Sequence, residues 1–235
     1  MRPQPDLVSV VIPALDEEHA LPGTLAAIRA QRGPFEVILA DGGSRDRSCA
    51  LARAAGARVV RAPRGRGVQM NCGARLGQGE WLLFLHADTR LPAGALEAMR
   101  RLPREVEAGC FRQAFDRPHA LLGAISRLHN WRCRRTGIMY GDQAMFVRHA
   151  AFDAVGGFPE QVLEDVLLSE RLRGRRPPAM LPLTVLTGAR RFVAQGILRS
   201  FARVLLILLC HRFGLPLAAS RFFDPVRETS KGGFR

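Results

Sequence analysis

Strand-like runs alternate with segments of helical spacing along the first half of the chain, and that alternation limits the fold most. Residues 8–12, Val-Ser-Val-Val-Ile, form a short and largely β-branched run closed by Pro13. After it Leu21, Leu25 and Ile28 recur at the period of one helix face. Residues 36–40 are strand-like again and end on Asp41-Gly42-Gly43, and Ser44 can then cap a helix carrying Cys49, Leu51 and Ala52. A third strand fits residues 58–61, and a helix follows near residues 68–76. The run Trp-Leu-Leu-Phe-Leu at residues 81–85 then breaks off on His86-Ala87-Asp88-Thr89. Strand and helix alternate at the period of a βαβ unit, which predicts an α/β fold with a mostly parallel central sheet flanked by helices.

Sheets of this kind bind ligands in the crevice outside the carboxyl ends of their strands. Three of these strands end on acidic clusters, ahead of Asp16-Glu17, of Asp41, and of His86-Ala87-Asp88. Taken singly, each acid is an ordinary loop residue or helix cap, and Asp88 or Thr89 would serve a helix starting near Pro92. Three such clusters at equivalent strand ends share one rim and mark a candidate site. The second half reads as a strand at 112–117, an arginine-rich helix at 119–135, and Gly141-Asp142-Gln143 ahead of a strand at 144–147. A helix at 149–155, a Gly156-Gly157-Phe158-Pro159 turn and a helix opened by Glu164-Asp165 follow.

The chain has 235 residues, 47% of them hydrophobic, enough to bury a full core as one unit. Its formal charge of +14 suggests an anionic partner. Lys231 is the single lysine among 35 Lys and Arg, so part of this charge reflects a compositional skew toward arginine. Five isolated cysteines without CxxC pairing suit reduced, buried thiols in a cytoplasmic protein. The opening Met-Arg-Pro-Gln-Pro-Asp has no signal-peptide pattern, and the longest apolar run, 204–210, is too short to span a bilayer.

Several chemistries lack their motifs. The turn after the first strand, Pro-Ala-Leu-Asp-Glu-Glu-His, has neither G-x-G-x-x-G nor a P-loop, no G-x-S-x-G elbow exists, and no His/Cys cluster has zinc spacing. No nucleic-acid-binding pattern accompanies the charge. Carboxylates at strand ends together with many arginines suit a nucleotide diphosphate held through a divalent cation. Mg2+ or Mn2+ takes one or two carboxylates and completes its shell with phosphate oxygens and water, and Asp88 at a rigid strand end is the first ligand to consider.

These segments resemble family 2 glycosyltransferases of the GT-A fold over roughly residues 7–192. Val-Ser-Val-Val-Ile-Pro-Ala-Leu-Asp-Glu-Glu resembles that family's opening, with Pro13 kept, Asp16 in the usual asparagine place and Glu17 after it. Asp41 matches the acid that contacts the nucleotide base. The stretch around Arg66 resembles the helix after the diphosphate loop, and His86-Ala87-Asp88 stands where the family carries Asp-x-Asp. The segment from Asp142 to Glu164-Asp165 is similar to the acceptor-side run. The resemblance extends to small bacterial members with the His-Ala-Asp variant, some of them carotenoid-acid glycosyltransferases.

The resemblance implies an inverting transfer from a nucleotide diphosphate sugar, UDP-sugar foremost, with Mg2+ or Mn2+ at Asp88 and Asp165 as base toward the acceptor hydroxyl. Glu164 beside Asp165 would raise one of the two pKa values if both are buried. Without the resemblance, a helix dipole accounts for both acids. Arg66 and Arg191 are candidates for the diphosphate, and His86 for a sugar hydroxyl. Asp142 either bonds acceptor or sugar or caps a turn. Residues 1–105 become the nucleotide-sugar half, 106–192 the acceptor half and 193–235 an apolar helix and tail. That last segment admits three readings: a buried helix, a homodimer face, or an interfacial helix on the inner face of the plasma membrane. The acceptor stays open, a lipid or carotenoid acid among the options. The rival classes are a catalytically silent relative, which the His86 substitution keeps open, and a sugar nucleotidyltransferase, whose Gly-rich, lysine-containing loop is absent.

Overall fold

The structure is a computed structural model and describes residues 3–161 and 163–213. The chain divides after Gly188 into two compact units. The first runs β1 (Gln4–Ala14), α1 (Leu21–Arg29), β2 (Phe35–Asp41), α2 (Ser48–Ala54), β3 (Arg58–Arg61), α3 (Arg66–Ala74), β4 (Gly79–Phe84) and β5 (Thr89–Arg90). It continues with α4 (Ala95–Arg100), β6 (Ala108–Phe115), α5 (Ala120–Thr136), a single 3-10 turn (Gly141–Gln143), β7 (Phe146–Arg148), α6 (His149–Ala154), α7 (Glu164–Arg175) and β8 (Ala179–Thr187). The second unit holds α8 (Arg190–Ala194) and α9 (Ile197–Arg212). Residues 214–235 of the expected tail lie outside the described residues. Among the described residues no helix is long and apolar enough to cross a membrane.

The strands form one sheet in the order β3-β2-β1-β4-β7-β6-β8-β5. β1, β2, β3 and β4 pair in parallel, as the βαβ alternation predicts, and β6 pairs β8 in parallel; β7 and β5 run antiparallel, so the sheet is mixed. Alternating side chains feed two cores. Val10, Ile12, Leu39, Leu83, Phe111 and Phe146 pack on one face, and Val11, Leu82, Phe84, Met70 and Phe158 on the other. Burial on both faces explains why the parallel strands read as continuous apolar runs.

Several boundaries differ from the sequence reading. β1 continues through Pro13, because its ladder to β4 ends at Val11↔Phe84 and the proline lies past the doubly paired stretch. β8 escaped the periodicity because Pro182 lies inside it. The ladder to β6 absorbs that proline with a register shift, passing from Phe111↔Leu181 to Arg112↔Thr184. β6 starts at Ala108 instead of 112, and β7 at Phe146 instead of 144, since Ala144 takes a left-handed φ of 48° to close the preceding turn. Ser44 does not cap α2, which starts at Ser48; its hydroxyl accepts from the Asp16 amide. Neither Asp88 nor Thr89 caps α4, whose N-cap is Gly94.

Candidate active site

The carboxyl ends of the parallel strands lie level, with Ala14 beside Asp41 and Asp41 beside Arg61. The strand order turns at β1, with β2 and β3 to one side and β4 to the other, the topology at which a crevice opens. Gln69 of α3 reaches the β1 and β2 ends, its buried Nε2 donating to the carbonyls of Ala14 (2.9 Å) and Ala40 (2.8 Å).

The loops after β1 and β2 are tied to each other. The Arg45 amide donates to Asp16 Oδ1, the Glu17 amide to Ser48 Oγ and the Glu18 amide to Asp46 Oδ2. Asp16 is exposed at a left-handed φ of 55°, whereas Pro13 is buried in β1. Asp41 is 2% exposed; its Oδ1 accepts from the Ser44 amide at 2.8 Å and its Oδ2 lies 3.8 Å from Arg61 Nη1. Burial acts to raise the Asp41 carboxyl, but hydrogen bonds from the Ser44 hydroxyl and amide and the Gly43 amide outweigh it and hold the pKa below its ordinary value. The ionised form therefore contributes stability above the unfolded-chain value, and that contribution is lost as pH falls through the lower folded value. Denaturant melts across acid pH should show this loss, and Asp41→Asn should flatten it; equal slopes in both proteins would refute the linkage.

His86, after β4, and Asp165 of α7 converge on Gly141, while Asp88 lies against Gly188. Thr24 of α1 anchors the residue between His86 and Asp88, its Oγ1 donating to the Ala87 carbonyl at 2.7 Å. The Gly141 amide donates to Asp165 Oδ2 at 2.8 Å, and the Val166 amide to Asp165 Oδ1. A Cβ on Gly141 would lie 2.5 Å from His86 Nε2 and 3.6 Å from Asp165 Oδ2, so only glycine lets imidazole and carboxylate close on one point. At Gly188 a Cβ would lie 2.9 Å from Asp88 Oδ2, and the Gly188 amide donates to the Asp88 carbonyl. His86, Asp88 and Asp165 are all half-buried. Ala144 and Leu163, which flank the turn and α7, hold left-handed φ angles of 48° and 67°, backbone strain of about 1–3 kcal/mol each of the sort that gathers at functional sites.

Arg66, expected at the diphosphate, and Glu164, expected beside the base, pair with each other at 2.8 Å. Burial raises the Glu164 carboxyl, the Arg66 guanidinium draws it down and the Asp165 charge adds to the rise; the net shift is upward. Asn71 completes the join between α3 and the Gly157-Phe158 turn, its Nδ2 donating to the Phe158 carbonyl (2.8 Å) and its Oδ1 accepting from the Phe158 amide (2.9 Å). Asn71→Ala should cost about 1–3 kcal/mol, read as a lower denaturant midpoint at constant m-value. An unchanged midpoint would remove Asn71 from this role.

Asp142 lies beside His129, with 3.4 Å between Oδ1 and Nε2. Its carbonyl accepts from Thr187 Oγ1, which lies 3.1 Å from Thr89 Oγ1. Arg191 is carried by α8 of the second unit. The sequence carried no sign of Asn71, Gly188 or Thr187, whose hydrogen-bond partners named above lie 45 to 100 residues away in the chain.

Oxygen donors of this kind fit a hard divalent cation. Among the described residues no group of three or more His, Cys, Asp or Glu is placed to hold a metal.

Residues 9–152 match the family model described as glycosyl transferase family 2. An undecaprenyl-phosphate 4-deoxy-4-formamido-L-arabinose transferase of Pseudomonas paraeruginosa is 36% identical over 129 residues, covering 49% of this chain and 36% of that protein. The chain thus spans little more than a third of that relative's length. Glucosyl-3-phosphoglycerate synthase of Mycobacterium tuberculosis, solved with Mn2+, UDP and glucosyl-3-phosphoglycerate, superposes with a TM-score of 0.62 at 18% identity, over 90% of this chain and 81% of that one. A mannosyltransferase from Pyrobaculum calidifontis, solved with GDP-Man and Mn2+, gives 0.62 at 20% identity, over 87% of this chain and 65% of that one. At these identities the two solved structures establish a shared fold.

Proposed function

Because the chain belongs to glycosyl transferase family 2, we propose that it is an inverting, metal-dependent glycosyltransferase. It moves a sugar from a nucleotide diphosphate sugar, UDP-sugar foremost, to an acceptor hydroxyl or carboxyl. The observation that carries this reading is the convergence of His86 and the Asp165 carboxylate on Gly141, with Asp88 at the neighbouring end of β4. Residues 1–105 are read as the donor half and 106–192 as the acceptor half.

Asp41 and Asp16, in the linked loops after β2 and β1, are assigned to the nucleoside. Asp88 is the residue that would hold Mg2+ or Mn2+, and such an ion when bound neutralises charge building on the leaving diphosphate. His86 is assigned to a sugar hydroxyl. Asp165 takes the proton of the attacking acceptor hydroxyl. The new bond forms between that oxygen and the anomeric carbon while the bond to the diphosphate oxygen breaks on the opposite face, which inverts the centre. Arg66 and Glu164 act one step back, joining α3 to α7 so that the donor loop and the base keep their separation.

The acceptor is read as lipid-like, with the protein peripheral on a membrane. The Pseudomonas paraeruginosa relative, named for an undecaprenyl-phosphate substrate, supports this choice. A thermal-shift panel of UDP- and GDP-sugars with and without Mn2+, followed by mass spectrometry for transfer or hydrolysis, tests the enzyme reading. Stabilisation by a nucleotide diphosphate sugar with metal is expected. No stabilisation by any of them with any metal would sink it.

A further inference from the structure

Buried side-chain polar atoms without a hydrogen-bond partner among the described residues gather around α5 and the Gly141–Gln143 turn: Ser126 Oγ, His129 Nε2, Arg132 Nε and Nη2, Asp142 Oδ1 and Gln143 Nε2. Gln113 of β6, whose backbone amide and carbonyl are bound by the Asn130 side chain of α5, also has both side-chain amide atoms unpartnered. The two remaining such atoms, Gln195 Oε1 and Ser200 Oγ, belong to the second unit. Gln143 is 0% exposed and Ser126 5%, so water does not satisfy them from outside. A native fold keeps few buried groups unpaired, and a cluster of them calls for a ligand or a functional explanation.

Arg132 is the centre of this cluster. Its guanidinium stacks on Tyr140, 3.7 Å from the ring centroid, while Nε and Nη2, the edge that binds an oxyanion with two parallel bonds, have no hydrogen-bond partner among the described residues. His129 packs against the same ring at 4.8 Å, and burial, with Asp142 opposing and Arg132 assisting, lowers its pKa and leaves it neutral. Asp142, the carboxylate facing this group, lies against His129. The turn that carries Asp142 also carries Gly141, whose amide holds Asp165.

The outer face of α5, next to Arg132, is unusual in another way. Leu122, Ser126 and Cys133 face inward, whereas Leu121, Leu128 and Trp131 are exposed at 42%, 47% and 58%, spaced seven and three residues apart as one outer stripe. Exposed Arg127, Arg134 and Arg135 flank the stripe, and the helix has no acidic residue. Apolar side chains bordered by arginine alone complement an anionic lipid surface.

We propose that α5 is the acceptor-binding helix, seated on an anionic lipid surface through Leu121, Leu128 and Trp131 and presenting Arg132 to the oxyanion head of a lipid-borne acceptor. This rests on the glycosyltransferase reading and adds the acceptor's chemical class: an amphiphile whose carboxylate or phosphate is the handle and whose hydroxyl attacks. Flotation of the full chain with phosphatidylcholine vesicles, plain or carrying a polyprenyl monophosphate, tests it beside calorimetric titration with inorganic phosphate. The wild type should float with the phosphate-bearing vesicles and bind free phosphate weakly. Leu128→Ser with Trp131→Ser, both exposed sites, should abolish flotation. Arg132→Gln should lose the preference for the phosphate lipid by roughly tenfold or more, with Arg132→Lys between and Arg134→Gln closer to wild type. UDP binding, measured on every variant, should not change, which reports folding and the donor site separately from the acceptor site. Undiminished flotation in the Leu128/Trp131 variant, or phosphate preference unchanged in both Arg132 variants, would overturn the proposal. Free phosphate binding as tight as vesicle binding would overturn the lipid source.

Discussion

Asp165→Asn should fold, bind the nucleotide sugar with near-native affinity, and transfer sugar more slowly by on the order of 10²–10⁴-fold, the usual contribution of a positioned base. The structural cost should be small. The carboxylate accepts one bond at each oxygen, from the Gly141 amide and the Val166 amide, and asparagine keeps one of those acceptors, so a loss on the order of 1 kcal/mol is expected. The decisive reading is the split between turnover and binding. A variant that lost donor affinity together with rate would place Asp165 among the groups that shape the site. Near-native turnover would end its assignment as base. The helix-dipole explanation of the same acid predicts only a change in stability, so the two accounts separate in one kinetic measurement.

Asp88→Asn should produce the other large loss, and its signature is metal-dependent. Several kcal/mol of charge stabilisation at the leaving group corresponds to roughly a hundredfold or more in rate. Affinity for a nucleotide diphosphate should fall in Mn2+ and not in its absence, because the role proposed for Asp88 reaches the diphosphate only through the ion. The backbone near Asp88 should survive, since the Gly188 amide bonds the Asp88 carbonyl, not its carboxylate. Equal losses with and without metal would remove Asp88 as a ligand. A related expectation concerns His86: with an imidazole and not a second carboxylate two residues before Asp88, metal binding without nucleotide should be weak, and tight metal binding to the free protein would contradict it.

How much of this was legible in the chain depends on how local each signal is. The run of residues 81–85 and the helical spacing of Leu21, Leu25 and Ile28 gave β4 and α1, because each periodicity records which faces are buried. β8 was not legible: Pro182 reads as a strand breaker unless the register shift opposite Phe111 and Arg112 is known. The same holds for the carboxylates. Asp41, Asp88 and Asp165 were nameable from strand ends and from the family resemblance. That Glu164 would turn to Arg66 was not, because they lie 98 positions apart along the chain and only the packing of α3 on α7 brings them to 2.8 Å.

Arg132 shows the same limit from the other side. In the sequence it is one arginine among many, and composition gives it no distinction. Its meaning comes from Tyr140 under the guanidinium and from Nε and Nη2 having no hydrogen-bond partner among the described residues.

The sequence by itself determined the α/β class, the parallel strands and the acids at their carboxyl ends, because burial periodicity and strand termination are properties of short segments. Only the tertiary structure decided which of those groups meet. Gly141 between His86 and Asp165, Gly188 against Asp88 and the Arg66–Glu164 pair all depend on sheet order and helix packing, which bring together groups from separate elements of the fold.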